Sequence, residues 1–150
     1  MWLSIIAYMV RIGAKLGLVQ TEPDSAESRA YIRAHDALHW LRNHLVGCSL
    51  EAVTEDSVSF WQHGERNQIR QVGSQLMAAR LVEPSLAVAS PLVFDPKTMQ
   101  SCELGPRGFA HFDYKDGGLN VSLQAADDSL GEPGYYRTQI RFVVPLQDST

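Results

Sequence analysis

Residues 65–82 read ERNQIRQVGSQLMAARLV, and this stretch decides the fold that the sequence predicts. Its apolar residues recur every three or four positions, which is the spacing of one face of an α-helix. They are Ile69, Val72, Leu76 and Ala79. We therefore predict a helix that follows a turn at residues 62–65 and ends near Arg80. The solvent face of this helix would carry Arg66, Asn67, Arg70, Gln71 and Ser74.

A second helix is predicted upstream of this stretch. Asp24 and Glu27 have the spacing of a capping box, so the helix should begin near Ser25. Its apolar stripe consists of Tyr31, Ala34, Leu38, Leu41 and Leu45. Gly47 can end the helix because glycine adopts the left-handed conformation easily. Residues 49–61 show a weaker helical spacing, and we predict a shorter helix there.

The N-terminal segment has the pattern of an amphipathic helix that ends near Gly17. The apolar positions that share one face are Trp2, Ile5, Ile6, Met9, Ile12 and Leu16. Arg11 and Lys15 interrupt the apolar run before it reaches the ~20 residues that a membrane span needs. A helix of this kind either packs on the core or forms a homodimer contact, and the sequence leaves both interpretations open.

The last third of the chain changes to the alternation that is typical of strands. Residues 109–114 and 119–123 flank the turn Lys-Asp-Gly-Gly at 115–118, which is a strong hairpin pattern because Asp-Gly tolerates positive φ angles. Residues 136–144 then alternate apolar with polar side chains. Arg137, Gln139 and Arg141 should therefore lie on one side of a half-buried strand, where they form a row that could meet a carboxylate-bearing surface.

Several residues carry a resemblance to the DEP domain, a member of the winged-helix superfamily. In residues 65–82, Arg66, Gly73 and Leu76 resemble the Arg that opens that family's third helix, the small residue in its middle and a Leu that faces the core. The terminal pair Leu81-Val82 resembles the end of the same helix. Trp40-Leu41 resembles a pair in its first helix, and residues 93–95, Val-Phe-Asp, resemble its wing. Residues 76–83 and 104–108 also resemble parts of winged-helix transcription regulators, and this resemblance is weaker than that to the DEP domain.

The predicted fold class is α+β, with N-terminal helices and a winged-helix-like core followed by a small antiparallel β-sheet. We expect a single domain over residues 1–150, because this is a common length for one hydrophobic core. Within it, residues 1–24 form the N-terminal amphipathic helix and linker, residues 25–104 the winged-helix-like unit, and residues 105–150 the hairpin and C-terminal strand.

Composition and motifs limit the chemistry that we expect. The formal net charge is -4 at pH 7, so a nucleic acid would have to bind at a local basic patch. Cys48 and Cys102 lie far apart in apolar or mixed surroundings, which indicates free thiols and a cytoplasmic location. His35 and His39 have helical spacing for a metal, but no third ligand follows them at a recognisable spacing. The sequence contains no nucleophile elbow and no phosphate-binding glycine loop, so we expect neither catalytic residues nor a metal or cofactor.

The DEP-like resemblance implies a non-catalytic adaptor that recruits or blocks a protein partner. The alternative is a winged-helix DNA-binding transcription regulator, because Arg, Asn and Gln pair with base edges in the major groove. The acidic net charge favours the protein partner. The candidate residues for either partner are Arg66, Asn67, Arg70, Gln71, Ser74, Arg137, Gln139 and Arg141.

Overall fold

The computed structural model describes residues 25–84 and 92–146, which form one α-helix, a short 3-10 helix and nine β-strands. The helix α1 spans Ala26–Leu45, and the 3-10 helix spans Pro96–Thr98. The strands are β1 (Ser49–Val53), β2 (Ser57–Gln62), β3 (Glu65–Val72), β4 (Gln75–Val82), β5 (Val93–Phe94), β6 (Gln100–Glu103), β7 (Phe109–Lys115), β8 (Gly118–Asp127) and β9 (Gly134–Val143). The predicted fold class is therefore wrong, because strands take the place of the winged-helix core.

The first six strands form one antiparallel sheet, which we call sheet A. Strands β1 to β4 are paired in chain order, and both β5 and β6 pair with the far side of β4. His63 and Gly64 turn the chain between β2 and β3 with φ angles of 55° and 75°. The predicted turn at residues 62–65 is confirmed, but it joins two strands. The short helix predicted for residues 49–61 is wrong, since β1 and β2 pair there.

The helix predicted for residues 65–82 is the most consequential error. These residues form the hairpin β3–β4, with Gly73 at φ 62° in the turn. Ile69 and Leu76 are fully buried, so the helical pattern located true core residues. Val72, however, is 43% exposed, since alternation in a strand turns it away from Ile69. The third helix that the DEP-like resemblance implied is therefore absent at residues 65–82.

The last three strands form a separate antiparallel sheet, which we call sheet B, in the order β7–β8–β9. Asp116 and Gly117 have φ angles of 53° and 77° in the β7–β8 turn, and Lys115 pairs with Gly118. The predicted hairpin is therefore confirmed. The C-terminal strand is also confirmed, because residues 134–143 pair along their whole length with β8.

Helix α1 packs against the inner face of sheet B and closes the core. Ser25 caps its N-terminus and forms a capping box with Ser28, so the cap lies one residue after the predicted Asp24. Ala34, Ala37 and Leu41 are fully buried. They share one hydrophobic cluster with residues of both sheets, such as Phe60 of sheet A and Val121 of sheet B. The small alanine side chains let the helix approach the strands closely.

The two sheets are also joined through their backbones. The N–H of Phe112 in β7 donates to the carbonyl of Glu55 in the β1–β2 turn at 2.9 Å. The N–H of Leu50 in β1 donates to the carbonyl of Pro145 at 2.8 Å, after β9 has ended. These bonds hold the β1–β2 turn beside sheet B.

Part of the predicted organisation lies outside the described residues. This applies to the N-terminal amphipathic helix of residues 1–24, and with it to the homodimer contact. Across residues 25–84 and 92–146, no helix is long and apolar enough to cross a membrane.

Candidate binding site

The five candidate residues predicted on one helix face are separated by the β3–β4 hairpin. Arg66 and Arg70 point to the outer face of sheet A, whereas Asn67 and Gln71 point to the opposite face because neighbouring strand residues alternate. Ser74 lies in the turn. The side chains therefore do not form one surface, and no recognition helix is present at residues 65–82.

Contacts within the protein engage the candidate residues of sheet A. Arg66 forms an ion pair of 2.6 Å with Glu51 and lies over the Trp61 ring. The guanidinium of Arg70 lies 4.2 Å from the centroid of the Phe94 ring.

The other three residues of this group make hydrogen bonds. Gln71 accepts a bond from the N–H of Ala110, which ties β3 to β7. Asn67 donates to the Glu65 carbonyl, and Ser74 donates to Glu103. These contacts indicate structural roles for Gln71 and Ser74 in particular.

The three candidate residues of β9 do share one surface. Arg137, Gln139 and Arg141 are all exposed, while the residues between them are half-buried against the core side. The prediction that they lie on one side of a strand is confirmed. Because alternate residues of a strand are ~6.6 Å apart, the two arginine Cα atoms are roughly 13 Å apart.

The strand register places polar side chains of β7 and β8 beside this row. Across the sheet, Gln139 pairs with Ser122, and Ser122 pairs with His111. One further row of directly paired residues lies on each side of the row His111–Ser122–Gln139. They are Phe109–Gln124–Arg137 and Asp113–Asn120–Arg141.

The outer face of sheet B is concave, and we call it the sheet B cleft. It has two adjoining hollows of about 850 and 670 Å³, both lined by His111, Ser122 and Gln139. The larger hollow extends to Arg141 and is walled by Thr54 and Glu55 of the β1–β2 turn. The smaller hollow extends to Arg137 and Phe109. The cleft is long enough to receive several residues of an extended chain.

Arg137 is held in place from beneath at one end of the cleft. Its Nε donates a 2.7 Å hydrogen bond to Oε1 of Gln124, which is only 8% exposed. Gln124 in turn donates from Nε2 to the carbonyl of Arg107 at 2.9 Å. The guanidinium also lies 5.6 Å from the centroid of the Phe109 ring. Its two terminal amino groups make no hydrogen bond within the described part of the chain.

Arg141 is engaged in a different way at the other end. Its Nη1 donates to Oδ1 of Asn120 at 3.2 Å, and its Nη2 donates to the carbonyl of Asp116 at 2.6 Å. Both terminal nitrogens therefore bind the β7–β8 hairpin. Two arginines that are equivalent in the sequence pattern thus differ in the donors that they leave available.

Sequence reasoning missed the partners that shape this site. Phe109, His111 and Gln124 were not among the candidate residues. Alternation in the predicted hairpin could have placed Phe109 and His111 on one face, since they are two residues apart in a strand. The position of Gln124 beside Arg137 depends on the β8–β9 register, which the sequence did not indicate.

The two histidines of α1, His35 and His39, and the two cysteines do not line the sheet B cleft. His35 packs beside Tyr31 and Tyr136, with ring centroids 4.3 and 6.4 Å away. Within residues 25–84 and 92–146, no three metal-binding side chains lie together. Cys48 and Cys102 are free thiols, and burial raises the pKa of each to about 11.

Comparison with known proteins gives no relative for this chain. It matches no protein-family model, no curated protein and no solved structure.

Proposed function

We propose that this protein is a non-catalytic interaction module that binds a protein partner in the sheet B cleft. The observation that carries the proposal is the arrangement of Arg137. An exposed arginine is fixed by a buried glutamine, while its terminal donors remain available at the edge of a concave surface. Ordering the side chain in advance lowers the entropic cost of binding.

The composition of the cleft supports a protein partner. Its lining combines the Phe109 ring with amide, hydroxyl, imidazole and guanidinium groups, which can accept both apolar and polar side chains. It carries Glu55 and Asp113 as well as its arginines, so it is not a uniformly basic surface for a polyanion. The whole chain has a formal net charge of -4, which also disfavours nucleic acid.

The DNA-binding alternative required a recognition helix, and residues 65–82 are a hairpin instead. We also propose a cytoplasmic location. It is supported by two cysteines that remain as thiols.

Site-specific photo-cross-linking in the native cell tests this function. A photoreactive residue at Ser122, in the middle of the cleft, should cross-link to a discrete partner protein that resists nuclease treatment. The matched control is Arg42, which is exposed on α1 on the other side of sheet B. If Ser122 yields no protein adduct, or if both positions yield the same adducts, the cleft is not the interaction surface.

A further inference from the structure

The smaller hollow of the sheet B cleft has the properties of a receptor for a single carboxylate. Its lining includes Arg137, His111, Ser122 and Gln139 but no aspartate or glutamate. The larger hollow, by contrast, contains both Asp113 and Glu55. An acidic group that enters the cleft is therefore attracted toward the Arg137 end.

The hydrogen-bond chain beneath Arg137 fixes the orientation of its guanidinium. The carbonyl of Arg107 can only accept, so the amide nitrogen of Gln124 must face it. The amide oxygen of Gln124 then faces Nε of Arg137, as the 2.7 Å bond shows. This contact uses the side of the guanidinium at Nε and leaves the end with two amino groups. That end can form a two-point hydrogen bond with a carboxylate.

Two aromatic rings lie next to the position that a carboxylate bound to Arg137 would occupy. The Phe109 and His111 rings lie 4.8 Å apart, with Phe109 beside the Arg137 guanidinium. In an extended peptide, an apolar side chain two residues from the acidic residue lies on the same face and would contact Phe109. Because a strand advances ~3.3 Å per residue, an extended segment would continue along the cleft past Ser122.

We propose that the Arg137 end of the cleft binds one acidic side chain of an extended segment of the partner, with an apolar residue two positions away on the same face. This inference rests on the proposed function and names the chemistry that its partner must present. Arg137 is the anchoring residue, and Gln124 is a positioning residue. Arg141 is a structural residue, because its terminal nitrogens are bound to Asn120 and Asp116.

The first test uses two short peptides and the ¹⁵N-labelled protein. Acetyl-Leu-Ser-Glu-Ser-Leu-amide, whose leucines share a face with Glu when the peptide is extended, should shift the NMR signals of Phe109, His111, Ser122 and the Arg137 Nε–H. Acetyl-Leu-Ser-Gln-Ser-Leu-amide should bind at least about tenfold more weakly, since charge-assisted hydrogen bonds are roughly twice as strong as neutral ones and the pair is bidentate. Equal binding of the two peptides would overturn the proposal.

Matched variants separate anchoring from general disruption of the fold. Arg137→Gln should weaken binding of the Glu peptide about tenfold or more. Arg141→Gln should keep the affinity within about twofold of that of the parent protein. Gln124→Met keeps the volume but removes the acceptor, so it should weaken binding and shift the Arg137 Nε–H signal. Unfolding curves confirm that each variant is folded. If Arg137→Gln binds the Glu peptide as tightly as the parent protein does, Arg137 is not the anchoring residue.

Two further probes distinguish the source of the anion. Inorganic phosphate should bind no more tightly than acetate, and the single-stranded oligonucleotide (dT)₁₀ should not displace the Glu peptide at physiological ionic strength. Displacement by (dT)₁₀ with a steep salt dependence would indicate nucleic acid and overturn the carboxylate assignment. Cross-linking from Ser122 that persists in Arg137→Gln would refute only this inference. The absence of any Ser122 adduct would refute the proposed function itself.

Discussion

Gly118 lies directly against the guanidinium of Arg141, because a Cβ placed on Gly118 would be 2.4 Å from Cζ of Arg141. Glycine at this position therefore allows the arginine to lie flat across the hairpin and reach Asn120 and the Asp116 carbonyl. This relationship explains why Arg141 stabilises the β7–β8 turn and is not available to a partner in the way that Arg137 is.

We expect Gly118→Ala to displace the Arg141 side chain. Loss of its hydrogen bonds should lower the free energy of unfolding by about 0.5–1.5 kcal/mol, since the arginine is exposed. Arg141→Gln should have a similar effect, and the double variant should be little worse than either single variant. Denaturant unfolding of the three variants measures this. Additive losses would show that Gly118 and Arg141 act independently.

Leu76→Ala should lower the free energy of unfolding by about 2–5 kcal/mol, because Leu76 is fully buried in the shared core. The matched control is Val72→Ala, which should cost at most ~0.5–1 kcal/mol because Val72 is 43% exposed on the other face. A helix would bury both residues. If urea unfolding shows that both variants lose a comparably large free energy of unfolding, the hairpin is contradicted.

How far the sequence predicts this fold depends on local turn chemistry. The β7–β8 hairpin was predicted correctly, since Asp116 and Gly117 have the positive φ angles that such a turn requires. Gly73 also has a positive φ angle, in the turn between β3 and β4. The sequence did not predict this turn, because the helical spacing of Ile69, Val72 and Leu76 favoured a helix. The burial of Ile69 and Leu76 is compatible with either structure, and tertiary pairing with β2 and β6 decides between them.

The candidate site was predictable only in part, for a related reason. Alternation within β9 is a local property, so the shared face of Arg137, Gln139 and Arg141 could be predicted. The difference between the two arginines depends on Gln124 and Asn120, which reach them only through strand pairing. Sequence spacing contains no information on that register.

Stability at acid pH should depend on Asp127. Hydrogen bonds from the hydroxyl and N–H of Ser129 lower the pKa of this carboxyl below its ordinary value, and Arg33 adds to the effect. A pKa lowered by folding stabilises the protein above the pKa of the unfolded state, ~3.9. This stabilisation is lost as the pH falls through the lower folded-state pKa.

We therefore expect Asp127→Asn to have a lower free energy of unfolding than the parent protein at neutral pH. The difference should shrink as the solution is acidified. Urea unfolding from pH 7 to about pH 3 provides the comparison. A difference in unfolding free energy that stays constant over this range would show that the charge of Asp127 is not responsible.

Both cysteines should react slowly with alkylating reagents in the native protein. Burial raises the pKa of Cys48 and of Cys102 to about 11, and Asp36 and Glu103 also raise that of Cys102. The thiolate is the reactive form, so reaction with iodoacetamide at pH 8 should be about 100-fold slower than in urea. Mass spectrometry at timed intervals follows each site. Rapid native modification of Cys48 would contradict its burial.

The most direct test of the account is the yield of the Ser122 photo-cross-link in the parent protein and in two arginine variants. Each variant is expressed at an equal level in the native cell, and its fold is verified by unfolding. We expect Arg137→Gln to abolish most of the adduct and Arg141→Gln to retain it, since each terminal nitrogen of Arg141 already donates one hydrogen bond to the hairpin, whereas those of Arg137 donate none within the described residues. Equal yields in all three proteins, or loss only in Arg141→Gln, would contradict the role of Arg137 as the anchoring residue.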